Sequence, residues 1–115
     1  MDYKIVNLKE NFPSVEEAIA NLDMEIELCK LSNIKVLKVI HGYGSHGFGG
    51  AICLEVRKHL KILKNKKIVE DFLLGNEWSI SNAKCFNIIT NLKDCYNDED
   101  LFKANPGITI IVISL

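Results

Sequence analysis

A chain of 115 residues, 48% hydrophobic and 25% charged, has the composition of a globular fold and the length for one core, which excludes disordered, collagen-like and mucin-like classes and argues against two domains. The net charge of −1 hides a polarised distribution: residues 30–67 carry nine basic side chains against Glu55 alone, net +8, while the segments before and after carry −5 and −4. The chain can therefore present a basic face to a polyanion without a high overall pI, although solvated helical lysines give the same pattern.

Tyr3–Leu8 reads as a first strand, with Tyr3 and Ile5 alternating with polar positions. Pro13 and the Ser14-x-x-Glu17 capping box open a helix whose apolar positions Val15, Ala18, Ile19, Leu22, Ile26 and Cys29 recur at helical spacing. Ile34–Ile40 is a nearly unbroken β-branched run, expected as a central strand parallel to the first. Five glycines then fall within His41–Gly50, and a second amphipathic helix spans Ala51–Lys64 with Ile52, Val56, Leu60 and Leu63 on one stripe. Lys67–Leu74 and Gly107–Leu115 read as strands. Between them, Ala83, Phe86, Ile89 (or Ile88), Leu92 and Tyr96 predict a peripheral third helix, and an acidic Asn97–Asp100 segment leads toward Pro106. The order β-α-β-α-β-(α)-β specifies an α/β fold with helices packed on a mixed sheet.

No apolar run approaches the ~20 residues of a membrane span. The N-terminus has no basic-then-apolar signal region, and Cys29, Cys53, Cys85 and Cys95 form no Cys-x-x-Cys pair. The expectation is a reduced, cytoplasmic protein with no membrane partner, its cysteines and Trp78 serving as packing.

The segment His41-Gly42-Tyr43-Gly44-Ser45-His46-Gly47-Phe48-Gly49-Gly50 is the part of the chain that packing explains least. Glycines let backbone amides approach a ligand, and a helix N-terminus follows directly, a combination that attracts phosphate. Gly42-x-Gly44-x-x-Gly47 matches the letters of a dinucleotide fingerprint, but it follows the second strand and lies in no larger nucleotide-binding unit; the Walker pattern fails for want of Gly-Lys-Ser/Thr. A flexible turn is the bland alternative. His41, at the carboxyl end of a strand, and His46 are candidate acid–base groups, while His59 reads as a surface residue. Tyr43 and Phe48 are candidates for stacking on unpaired bases, or for folding back on the sheet. No metal site is indicated, since His41, His46 and Cys53 match no zinc spacing and lack a fourth ligand.

With the glycine segment placed after the second strand, the chain resembles the Smr (small MutS-related) domain family. The resemblance rests on Val36-Leu37-Lys38-Val39-Ile40-His41-Gly42-Tyr43-Gly44 followed by Gly49-Gly50, on the Ile68–Phe72 strand, and on the closing Asn105-Pro106-Gly107-Ile108-Thr109-Ile110-Ile111-Val112. It implies a two-layer α/β sandwich similar to the C-terminal domain of bacterial translation initiation factor three: a mixed, mostly parallel sheet of about four strands with two main helices. Residues 1–115 then form one domain, with a third helix in an insertion at 76–105. The implied activity is DNA or RNA binding, with structured or branched nucleic acid as the expected partner, and nicking or endonuclease activity in many members. Members commonly carry Leu-Asp-x-His or Leu-Asp-x-Arg-Gly at the end of the first strand, where this chain has Val6-Asn7-Leu8-Lys9-Glu10. Asn7 thus replaces a carboxylate that could take a proton or hold a metal.

Three function classes follow. The first is nucleic-acid binding by the amides of Gly42, Gly44, Ser45 and Gly47, with Tyr43 stacking and Arg57, Lys58 and Lys61 attracting phosphate. Its enzymatic version uses His41 or His46 as acid or base, Lys9 to stabilise developing charge and Glu10 as a substitute carboxylate; a divalent metal such as magnesium is compatible with that chemistry, but no residue pattern indicates one. The second is a catalytically inactive protein-interaction module docking through the acidic first helix and the insertion. The third is a small enzyme acting on a phosphorylated metabolite at the glycine loop. Oligomeric state is not legible in the sequence.

Overall fold

The computed structural model describes residues 2–44 and 50–115. Strands β1 (Tyr3–Asn7), β2 (Val36–Ile40), β3 (Asp71–Leu74) and β4 (Ile108–Val112) form one sheet in the order β1-β2-β4-β3. β1 pairs parallel to β2, and β4 pairs antiparallel to both β2 and β3. β1, β2 and β3 therefore point the same way, as expected, but β4 is wedged between two of them and makes both its pairings antiparallel. The reason is connectivity: helical crossovers separate the first three strands, whereas the 75–107 connection leaves and re-enters at the same end of the sheet, where Leu74 faces Thr109.

Helix α1 (Val15–Leu31) starts at the capping box read from the sequence: the Glu17 amide donates to Ser14 Oγ at 3.1 Å and the Ser14 amide to Glu17 Oε1 at 2.9 Å. Helix α2 (Gly50–Asn65) fills the second crossover. Its C-terminus explains why β3 starts at Asp71 rather than Lys67. Lys67 turns left-handed (φ 61°) and the Ile68 amide returns to Leu63 O at 2.9 Å, so residues 67–70 close the helix before the strand begins. The third helix of the sequence reading breaks at Leu92 into α3 (Ala83–Asn91) and the single turn α4 (Lys93–Tyr96).

The strands alternate between two cores. Leu37, Val39 and Ile111 pack with Leu22, Ile26, Val56 and Leu60 of α1 and α2. Val36, Ile110, Val112 and Leu73 face the other way, onto Trp78, Ile88, Leu92 and Cys95 of the 76–105 stretch. The expected two-layer sandwich thus carries a third layer, because the 76–105 stretch covers the second sheet face. That double coverage is what the continuous apolar runs of β2 and β4 require. All four cysteines are buried and unpaired, and no helix among the described residues is long and apolar enough to cross a membrane.

One charged side chain, Lys38 of β2, lies fully buried in the middle of the second face. Its ammonium lies 3.0 Å from both oxygens of Asp98 and bridges to Asp100. Asp98 also accepts from Tyr3 Oη at 2.6 Å and Trp78 Nε1 at 3.1 Å, and Asn105 Nδ2 donates to Asp100 at 3.0 Å. Burial alone would push the Lys38 pKa down, but the two carboxylates outweigh it and hold it above the ordinary value. Lys38 therefore leaves the basic surface counted from the sequence and becomes the tie between sheet and 76–105 stretch. Replacing it by alanine leaves two carboxylates uncompensated, so Lys38→Ala is expected to lower unfolding free energy by about 3–5 kcal/mol. Urea denaturation checks this; a loss below 1 kcal/mol would contradict the tie.

Candidate nucleic-acid interface

The carboxyl ends of β1, β2 and β3, the amino end of β4 and the starts of α1 and α2 meet at one end of the sheet, the position where open α/β folds place ligands. The amides of His41 and Gly42 both donate to Gly107 O, at 2.9 and 3.1 Å. Gly42 and Gly44 adopt left-handed backbone (φ 77° and 89°), and a Cβ on Gly44 would come within 2.9 Å of Gly50 Cα. The glycines therefore bring the chain before the loop into contact with the first residue of α2. Of the loop residues singled out in the sequence, Ser45, His46, Gly47, Phe48 and Gly49 lie outside the described residues.

His41 is fully buried. Its Nδ1 lies 2.8 Å from Gly42 O and its Nε2 2.8 Å from Thr109 Oγ1. A carbonyl can only accept, so Nδ1 carries the proton, and the Thr109 hydroxyl donates to Nε2. Burial, reinforced by the nearby Arg57 guanidinium and opposed by the Gly42 bond, holds the imidazole below its ordinary pKa of 6.5 and keeps it neutral. In this geometry His41 positions the loop stem against β4, and both its nitrogens are engaged. The Gly42 amide is likewise committed to the fold, which removes it from the phosphate-binding set.

What faces outward is different. Tyr43 is 59% exposed rather than folded back on the sheet. Arg57 lies about two turns into α2, with Nη2 3.4 Å from Pro106 O and a buried Nε that has no hydrogen-bond partner among the described residues. The first turn of this sixteen-residue helix holds no acidic residue, so none of its own carboxylates answers the positive end there, whereas the first turn of α1 holds Glu16 and Glu17. Lys58 and Lys61 are exposed on α2, Lys58 beside Glu55 at 3.4 Å. His59 bonds Asp23 at 2.6 Å and joins α2 to α1, which assigns it a partner rather than open solvent.

At the neighbouring strand end, the Leu8 amide donates to Ile40 O at 2.8 Å, which carries the following turn alongside His41. Asn7 Oδ1 accepts from the Lys9 amide at 3.0 Å, a turn-forming bond, while the side chains of Lys9 and Glu10 are exposed. His41, Tyr43 and Gly44 thus form the loop stem with Arg57 close to His41, and Lys9 and Glu10 follow the adjacent strand end that Leu8 ties to Ile40. Sequence reading missed Thr109 and the Pro106 carbonyl; the available signal was a lone hydroxyl in an otherwise aliphatic strand. No cluster of metal-ligating side chains occurs among the described residues.

The Smr domain family model matches residues 11–89 of the chain. The chain belongs to the Smr domain family. Among solved structures it is similar to the Smr domain of Thermus thermophilus MutS2, with a TM-score of 0.60 and 20% identity over 97% of this chain and 99% of that one. That likeness shows a shared fold. A search of curated proteins finds no match.

Two outcomes follow for this Smr domain. Gly44→Ala meets both a left-handed backbone and the Gly50 contact, so it is expected to lower stability by at least about 1 kcal/mol in urea unfolding. Because the folded chain refuses a proton that the unfolded chain takes at His41, its contribution is complete above pH 6.5 and declines as the pH falls through that value. The melting temperature should therefore fall from pH 7 to pH 5, and His41→Gln should flatten that slope.

Proposed function

We propose that this Smr domain binds nucleic acid, DNA or RNA, at the end of the sheet where the glycine segment, the start of α2 and Arg57 meet. The observation that carries the reading is the start of α2, a sixteen-residue helix with no acidic residue in its first turn. That helix opens from a glycine segment, and Arg57, about two turns along it, has a buried Nε without a hydrogen-bond partner among the described residues. A phosphate supplies what that arrangement lacks, accepting from helix and loop amides and from the guanidinium fork. Exposed Tyr43 offers a face to an unpaired base. Lys58 and Lys61 add attraction that depends on salt. The family's association with nucleic acid agrees with this chemistry.

A second reading, cleavage, is favoured by one observation: the Leu8–Ile40 hydrogen bond sets the Lys9–Glu10 turn beside the loop stem. In that version Lys9 stabilises developing negative charge on the phosphate, Glu10 is the carboxylate that takes a proton from the attacking water, and His46 is the remaining acid–base candidate. His41 holds the loop rather than transferring the proton.

Fluorescence anisotropy with labelled single-stranded, duplex and branched DNA and RNA tests the first reading. Binding at low salt that weakens about tenfold or more in Arg57→Glu and in Lys58→Glu/Lys61→Glu is expected. No binding to any probe would overturn it. The same samples on a denaturing gel, with and without magnesium, test the second: cuts made by the parent and lost in Glu10→Gln support cleavage, and intact probes under both conditions reject it.

A further inference from the structure

At the opposite end of the sheet, α1 and α2 finish side by side, and β2 begins where β4 ends. A cleft of about 330 Å³ opens there. Its apolar floor includes Ile34, Ile68 and Ile113, and its rim carries the exposed lysines Lys30, Lys35 and Lys67. None of the three has an ion-pair partner among the described residues, whose ion pairs involve other cations. Lysines at helix C-termini ordinarily answer the negative end of the helix dipole. Each helix end contributes about half a charge, so two ends offset about one lysine and leave about two unanswered.

The cleft does not stand alone. It adjoins a second depression through Lys67, Ile113 and Ser114, and that depression reaches Lys64, with one exposed acid, Glu70, against its two lysines. Lys64 and Lys84 share Asp71, at 2.9 and 2.7 Å, which leaves the trio positive. Along α2, Arg57, Lys61 and Lys64 follow the i, i+4, i+7 spacing of one helix flank. The flank is fixed at both ends, by the Arg57 contact with Pro106 and the Lys64 contact with Asp71. A cationic line therefore runs from the glycine segment, down α2, to the cleft. The acids of this layer lie on the neighbouring helix: Glu16, Asp23 and Glu27 are exposed on α1, and Asp23 meets His59 of α2.

We infer that one unpaired nucleic-acid strand follows this line from the glycine segment to the cleft, with its phosphates on Arg57, Lys61, Lys64 and Lys67 and a base on the apolar floor between Ile34 and Ile113. An unpaired strand is specified because the floor is apolar and Tyr43, at the other end, is exposed; both suit base faces that a duplex hides. The sixteen residues of α2 span about 24 Å, about seven nucleotides at the ~3.4 Å rise of a stacked strand and fewer in an extended one. The inference rests on the proposed function and adds a second contact region, about 24 Å away along α2.

Amide chemical-shift mapping by NMR with single-stranded oligonucleotides of four and twelve nucleotides separates the two ideas. The four-mer is expected to shift Tyr43 and Gly44 in either case. The twelve-mer is expected to shift Lys35, Ile68 and Ser114 as well, and to bind about tenfold more weakly to Lys30→Gln/Lys35→Gln/Lys67→Asn, which keeps a residue tolerant of left-handed backbone at position 67. Twelve-mer shifts confined to the glycine segment, with the triple variant binding as the parent does, would overturn the strand path and leave the proposed function standing. Shifts with neither oligonucleotide would remove both. Cleft shifts without loop shifts would also overturn the path, since no strand would connect the two ends.

Discussion

A buried ammonium in the central strand is the constraint on which the rest of the architecture depends. Lys38 lies in the middle of β2 with no exposure, and a charge in that position is tolerable only with partners brought to it. Asp98 and Asp100 are those partners, and they can reach it only if the 76–105 stretch folds across the sheet. Asp98 gathers Tyr3 and Trp78 as well, so one carboxylate ties β1, β2 and the covering layer together. Asn105 extends the same network, through its bond to Asp100, to the Gly107 amide at 2.8 Å. From Gly107 the carbonyl receives the amides of His41 and Gly42. The core charge is therefore linked by hydrogen bonds to the stem of the glycine segment.

The two ends of the sheet are built in opposite ways. At one end the backbone supplies the positive potential: a helix start without an acid and glycines whose left-handed backbone lets the chain close on itself. Gly75 belongs to this construction, because a Cβ there would fall 1.6 Å from Asn105 O; only glycine lets the end of β3 pass so close to the turn that feeds β4. At the other end the potential comes from side chains, the lysines around the C-termini of α1 and α2. Helix α2 joins the two, with its dipole start at one end and its basic flank leading to the other.

Much of this was legible in the sequence, and the gaps have physical causes. The Ser14–Glu17 box, the stripe of α2 and the β-branched runs are local signals, and each element formed within a few residues of its reading. The direction of β4 was not legible, because strand pairing depends on where a connection returns rather than on composition. The third layer was missed for the same reason: Cys85, Ile88 and Cys95 announce an apolar helix face but not the surface that receives it. Lys38 was counted with the basic residues because charge arithmetic carries no information on burial. The signals that pointed to its partner were a lysine inside a central-strand pattern and an acidic segment sixty residues later. At the site, the glycine segment and Arg57 could be read as chemistry, whereas the tautomer of His41 needed Thr109, which only the fold brings near. Asn7 was read for the carboxylate it lacks and turned out to cap its own turn.

The central claim is that this Smr domain meets nucleic acid electrostatically, through a small set of cations ordered along α2. The dependence of the association constant on salt measures that directly, because each phosphate neutralised on a single strand contributes about −0.7 to the slope of log K against log salt. Engagement of Arg57, Lys61, Lys64 and Lys67 predicts a slope of about −3 for a twelve-nucleotide strand, reduced by about 0.7 in Arg57→Ala. A slope near zero, or one unchanged by loss of Arg57, would contradict the account.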